Sequence, residues 1–289
     1  MNNPARAAAG SGAASSVIAF HCSLGSGRQW DRLVGQLAGR HRVIAPDISG
    51  YGDNAGPSVL PTSLAEQIDL LSDLLGEASG PIHLVGHSYG GALAFKIATD
   101  SRLASRVRSL TLIEPVLPTI LMENAADRRL YEQFVHLAQA VYEDLWKGNS
   151  WEAIEKFLAF WRGSGPAEQL SSNALARLIT YAEKLAFDFT AILAEHNVSS
   201  AAAAIRVPTL LMSGGLSPYL TQRVTGRLAS TIPGAESVYL PSAGHMLPIS
   251  HAAAVNPAIA RHIARADELA NLSLAIGEFS DQTAVSVQD

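Results

Sequence analysis

Only one cysteine, Cys22, occurs in 289 residues, so no intrachain disulfide can staple the fold and a reducing compartment suits the chain. Charge is scarce as well: 16% of residues carry it, and 21 basic side chains lie scattered among 26 acidic ones for a net charge of -5. Without a basic stripe to hold a phosphate backbone, nucleic acid is not an expected partner. No apolar run approaches the ~20 residues that cross a bilayer. Residues 1–16 are rich in Ala, Gly and Ser, with Arg6 and no apolar h-region. They read as a flexible leader and not as a signal peptide. The expectation is a soluble, cytoplasmic protein. A small-residue loop, His21 to Gly27, follows the first strand, but it has no GxGxxG and no Lys-Ser/Thr ending, which speaks against a phosphate cradle.

Against these absences stands Gly86-His87-Ser88-Tyr89-Gly90. The apolar run Ile82 to Val85 before it reads as a buried strand, and Gly91 to Ala98 after it as a helix. A serine at the apex of a strand, corner and helix is a nucleophile elbow, in which the turn pushes the hydroxyl out of the sheet. Glycines on both sides remove side chains that would collide where strand and helix nearly touch. The chain around it alternates in the same way. Ser16 to Phe20, Arg42 to Asp47, Ile82 to Val85, Val107 to Ile113, Val207 to Met212 and Glu236 to Leu240 read as strands. Helical spacing at Arg28 to Leu37, Ser63 to Gly76, Gly91 to Ala98, Ser217 to Ile232 and Ser250 to Leu269 separates or closes them. That alternation predicts a mostly parallel, doubly wound sheet. It breaks between residues 121 and 196, where only helical patterns occur, with Phe134, Phe157 and Trp161 among their apolar positions. The expected organisation is a leader over 1–16, a core over 17–120 and 197–270, a helical cap over 121–196, and a mobile tail over 271–289. The cap's apolar inner face either packs as ordinary core or lines a pocket.

Several motifs together resemble the α/β-hydrolase fold superfamily, over about residues 17–269. They are the His21-x-x-x-Gly25-Ser26 loop, Pro46-Asp47 with Gly50 and Gly52 beyond it, the elbow, and Gly244-His245 after the last strand. The resemblance implies a nucleophile, an acid and a histidine in that chain order. Ser88 is the expected nucleophile and His245 the expected base, with His251 as competitor. The family's commonest acid position, after the strand ending at Met212, holds Ser217, and no Asp or Glu occurs between Asn197 and Ala235. Glu114, at the end of the preceding strand, resembles the acid of other branches, including certain dehalogenases. Its alternative is a structural salt bridge. The resemblance further implies an oxyanion hole from the backbone amides of Ser23 and Tyr89, with His21 bracing that loop and His87 given no role. Cys22 is the weaker candidate nucleophile. The N-terminal hairpin usual in the family is expected to be reduced or absent, leaving a sheet edge for the leader or for a second copy of the chain to cover.

The function these residues predict is a serine hydrolase acting on a small or medium apolar ester, thioester or lactone, with no cofactor and no metal. A serine nucleophile excludes the alkyl-ester chemistry of the haloalkane dehalogenases and typical epoxide hydrolases. Cofactor-free cleavage of a carbon-carbon bond or a perhydrolase activity would use the same residues, and a slow-turnover ligand sensor on the same fold is the reading from a different class.

Overall fold

Each apolar run becomes a strand of one sheet because a helix follows it that is long enough to carry the chain back across a face. The computed structural model describes residues 6–8, 15–54, 60–163 and 171–285. The strands are β1 (Arg6–Ala8), β2 (Ser16–Phe20), β3 (Arg42–Ala45), β4 (Ile82–His87), β5 (Val107–Ile113), β6 (Thr209–Gly214) and β7 (Glu236–Leu240). Their order in the sheet is β1-β3-β2-β4-β5-β6-β7. All neighbours from β3 to β7 run parallel, and β1 alone is antiparallel, against β3. This is an α/β-hydrolase sheet. β4, at its centre, is buried along its whole length.

The helices are α1 (Asp31–Leu37), α2 (Leu64–Leu70), α3 (Ser72–Gly76), α4 (Tyr89–Thr99), α5 (Arg128–Trp146), α6 (Ser150–Arg162), α7 (Ser172–Thr180), α8 (Ala182–Leu193), α9 (Val198–Ala204), α10 (Tyr219–Thr231), α11 (Leu247–Ser250) and α12 (Ala252–Val285). Because strand side chains alternate between faces, the sheet carries two cores. Ile18, Phe20, Leu84, Leu110 and Leu112 point to the core shared with α2, α4, α5 and α8. Val17, Ala19, Val85, Ile113 and Met212 point to the other, with Trp30 and Leu33 before and within α1 and Val255, Ile259 and Ile263 of α12. Between β5 and β6 lies the helical insertion, α5 to α8, whose Phe134, Phe157, Trp161 and Phe189 pack ring against ring.

Element boundaries depart from the periodicity in three places. The 63–76 pattern divides at Leu71, and the last insertion pattern at Tyr181, each with ψ near 0°. Tyr181 turns inward there, and its hydroxyl accepts the Gly52 amide at 3.1 Å. The helix read to Leu269 continues as far as Val285, through Ala- and Leu-rich sequence with no proline after Pro257 to stop it. Residues 6–8, read as leader, form the edge strand β1. Most of the remaining leader and residues 55–59, 164–170 and 286–289 lie outside the described residues. Among those described, no helix is long and apolar enough to cross a membrane.

Candidate active site

Ser88 lies between β4 and α4 at φ 58°, ψ −120°, a region that non-glycine residues enter only under constraint. The constraint is visible around it. A Cβ on Gly86 would lie 2.2 Å from the Gly90 carbonyl oxygen, and one on Gly90 would lie 2.4 Å from the carbonyl oxygens of Phe20 and His21. The Ser88 amide donates to the Ile113 carbonyl at 3.0 Å, tying the corner to the end of β5.

The next residue after β5 is Glu114, which is fully buried and also has a positive φ, 43°. Its amide donates to the Met212 carbonyl at 3.0 Å, and its Oε1 accepts the Gly214 amide at 2.7 Å. The other oxygen, Oε2, lies 2.6 Å from Nδ1 of His245. A carboxylate only accepts, so Nδ1 carries the proton and Nε2 is left with a free lone pair. That Nε2 faces the Ser88 hydroxyl at 3.0 Å. The structure therefore brings together Ser88, His245 and Glu114, which the sequence separates by up to 157 residues. His251 is directed elsewhere: its ring nitrogens face the Ser250 and Ser242 hydroxyls. Ser217, at the commonest acid position, is buried, and among the described residues its hydroxyl has no hydrogen-bond partner.

Ser23 and Tyr89 line one pocket with Ser88, and among the described residues neither amide has a hydrogen-bond acceptor. The loop bearing Ser23 is held from below. His21 Nε2 accepts the Ile48 amide at 2.9 Å while its Nδ1 donates to the Cys22 carbonyl at 2.7 Å. Burial lowers the His21 imidazole to a pKa of about 4, so it stays neutral and keeps both bonds. Asp47 bridges the next turn, accepting the Gly27 amide at 2.6 Å and the Asp53 amide at 2.7 Å. Burial pushes the Cys22 thiol up to about 12, where it is no nucleophile.

Residues that the periodicity treated as packing complete the site. His87 donates from Nε2 to the His245 carbonyl at 2.8 Å, and burial, then the neighbouring His245, holds its pKa well below the ordinary histidine value. Trp161, from α6, stacks on the His245 ring. Asp188, from α8, accepts the hydroxyls of Ser23 and Tyr51. For Trp161 and Asp188 the one signal in the sequence was membership of the helical insertion, while His87 stood inside the elbow motif itself. The pocket is narrow, with about 10 Å³ of free space, and Val116, Phe134, Phe157, Leu185 and Phe189 supply most of its apolar wall.

A second polar cluster lies at the opposite end of β4, where His83 enters the strand that Ser88 leaves, roughly 16 Å away at ~3.3 Å per residue. Ligating atoms of His41, His83 and Asp267 lie within 4.8 Å of one another there. The carboxylate is already engaged, taking Arg108 Nη1 at 2.7 Å and His83 Nε2 at 3.2 Å on one oxygen. Burial alone would raise the Asp267 pKa. The His83 and Arg108 hydrogen bonds more than reverse this and hold it at about 2.

Comparison with known proteins bears on the family and the fold. Residues 17–258 match the model of the alpha/beta hydrolase family. The chain belongs to that family. It is 28% identical over 248 residues, 83% of this chain and 88% of the other, to a Klebsiella pneumoniae protein named as a carbamate hydrolase, RutD. It is 25% identical over 226 residues to the pimeloyl-[acyl-carrier protein] methyl ester esterase of Pectobacterium atrosepticum, covering 77% of this chain and 84% of that one. Among solved structures, the enol-lactonase of Burkholderia xenovorans LB400 superposes with a TM-score of 0.63 at 21% identity, over 90% of this chain and 95% of the other. As a member of the alpha/beta hydrolase family, the protein is a hydrolase.

Proposed function

We propose that the protein is a serine hydrolase that cleaves a small or medium apolar ester, thioester or lactone through an acyl-enzyme. The observation that carries this reading is the pair of hydrogen bonds running from Ser88 through His245 to Glu114. In this mechanism the Ser88 oxygen attacks the carbonyl carbon while its proton passes to His245 Nε2. Glu114 holds the imidazole in the tautomer that can receive that proton and stabilises the imidazolium that results. The carbonyl oxygen, now negative, is met by the amides of Ser23 and Tyr89. When the bond to the leaving group breaks, Nε2 returns the proton to that group. Water then attacks the acyl carbon along the same proton path and frees Ser88.

The apolar pocket wall favours an uncharged acyl group. The helical insertion acts as a cap, because the wall consists largely of its side chains. The names of the esterase and carbamate hydrolase relatives agree with a carbonyl substrate. A fluorophosphonate probe tests the reading. One adduct on the peptide containing Ser88, absent from Ser88→Ala, is the expected result, together with turnover of a short-chain p-nitrophenyl ester. Folded protein that takes no adduct would overturn it.

A further inference from the structure

A buried charge pair stands beside the pocket with no part in the proton path. Lys184 and Asp188, one helical turn apart on α8, form an ion pair and are 2% and 1% exposed. The Lys184 ammonium lies over the rings of Tyr51 at 5.2 Å and Tyr89 at 4.8 Å. Taking two charges out of water is costly, and a salt bridge rarely returns more than that cost. A pair of apolar residues would hold α8 on the core at least as well, so the position of these groups calls for another explanation.

Asp188 uses its two oxygens differently. Oδ1 takes Lys184. Oδ2 accepts the Ser23 hydroxyl at 2.5 Å and the Tyr51 hydroxyl at 2.6 Å, both from loops of the core. The Tyr51 ring also meets the His21 ring edge-on, centres 5.9 Å apart, at the start of the same loop. One insertion carboxylate thus holds the loop at Ser23 directly and reaches His21 through Tyr51. Leu24 has a positive φ of 61°, a strained conformation that persists only where its surroundings impose it. We propose that Asp188 is a positioning residue for the oxyanion loop, with Lys184 as the counter-charge that keeps a bare carboxylate from opposing the oxyanion. The inference rests on the reading of Ser23 as an oxyanion donor. It makes the hole a joint product of core and insertion: the loop has its working shape when α8 is seated.

Two double variants separate positioning from simple bolting. Asp188→Asn with Lys184→Met removes both charges and keeps an acceptor for Ser23 and Tyr51. Asp188→Ala with Lys184→Met removes the charges and the acceptor together. The acceptor-free pair should have a kcat at least tenfold below that of the acceptor-bearing pair, with KM for p-nitrophenyl acetate within about twofold. Amide hydrogen exchange in the peptide spanning residues 21–27 should be faster in the acceptor-free pair and near wild type in the other. Ser23→Ala, which breaks the contact from the core side, should reproduce the kcat loss. Equal kcat and equal loop exchange in the two double variants would overturn the proposal and leave a structural bolt. If loop exchange shifts as expected while Ser88 takes no fluorophosphonate in the wild type, positioning of the loop is supported and the serine-hydrolase reading alone fails.

Discussion

The indole of Trp161 lies on the imidazole of His245, ring centres 4.4 Å apart and planes 22° from parallel. The two residues come from different parts of the molecule, α6 of the insertion and the loop after β7. The stack gives the imidazole an apolar wall on one face, while the Glu114 hydrogen bond fixes its tilt. His245 is thus held from the insertion by Trp161 and from the core by Glu114, Ser88 and His87.

Removing that wall should cost both stability and rate. Trp161 is 8% exposed, so Trp161→Ala should lose about 3–5 kcal/mol in urea unfolding. The freed imidazole should lower kcat by about 10- to 100-fold. Trp161→Phe keeps a ring on the face and should retain more of both. Equal kcat in the alanine and phenylalanine variants would show that the stack does not orient His245.

Glu114→Gln tests the tautomer argument. The amide can still accept the Gly214 N–H through its oxygen, but its NH2 would then face Nδ1 and favour the imidazole carrying its proton on Nε2. That tautomer cannot take a proton from Ser88. Turnover should fall by about 10³- to 10⁴-fold with the circular dichroism spectrum unchanged. A rate within a few-fold of wild type would reduce Glu114 to the structural ion pair that was its alternative.

Stability should depend on pH through His21. Its imidazole is fully buried with a pKa of about 4 in the folded chain, against 6.5 for an unperturbed histidine, because burial disfavours the charged form. Between these values the unfolded chain binds a proton that the folded chain refuses, so stability rises with pH across that window. The contribution is fully present above 6.5 and is lost as pH falls from 6.5 through 4, amounting to roughly 3 kcal/mol. Urea unfolding at pH 7.5, 6 and 5 should follow that slope, and His21→Gln should flatten it. An equal slope in the variant would assign the loss to other groups.

Cys22 should be inert in the folded protein. With its thiol pushed to about 12 by burial, iodoacetamide at pH 8 should add nothing to the intact mass until denaturant is present, and one carbamidomethyl group afterwards. Rapid stoichiometric alkylation of native protein would contradict the burial.

The local signals proved legible where one residue type satisfies a backbone demand. The corner at Ser88, between two glycines with strand before and helix after, required no tertiary knowledge, and Glu114 became the candidate acid because the turn after β6 holds no carboxylate and because Glu114 resembles the acid of other branches of the family. The parallel, doubly wound character of the sheet followed from the alternation of runs, and its strand order came from the structure. What could not be read was direction in the insertion. Trp161 and Phe134 occupy the same kind of apolar helical position, yet one stacks on His245 while the other packs among aromatic rings. Asp188 was hidden for a different reason. Its partners Ser23 and Tyr51 lie 165 and 137 residues away, and a carboxylate four residues after a lysine looks like an ordinary exposed helical pair. Helix breaks at Leu71 and Tyr181 were missed because neither carries a glycine or a proline.

The carboxylate that meets His245 stands at the end of β5, and the turn that follows β6 holds none. That turn, relieved of the carboxylate, is free for another task, and it serves as a seat. A Cβ on Gly163, which ends the helix bearing Trp161, would lie 2.6 Å from the Leu216 carbonyl oxygen and 2.8 Å from the Pro218 nitrogen. Backbone meets backbone there with no side chain between. Here the seat of the roof and the carboxylate that faces His245 fall on the ends of neighbouring strands, so the roof reaches the site through Trp161 and Asp188 and not through the turn that seats it.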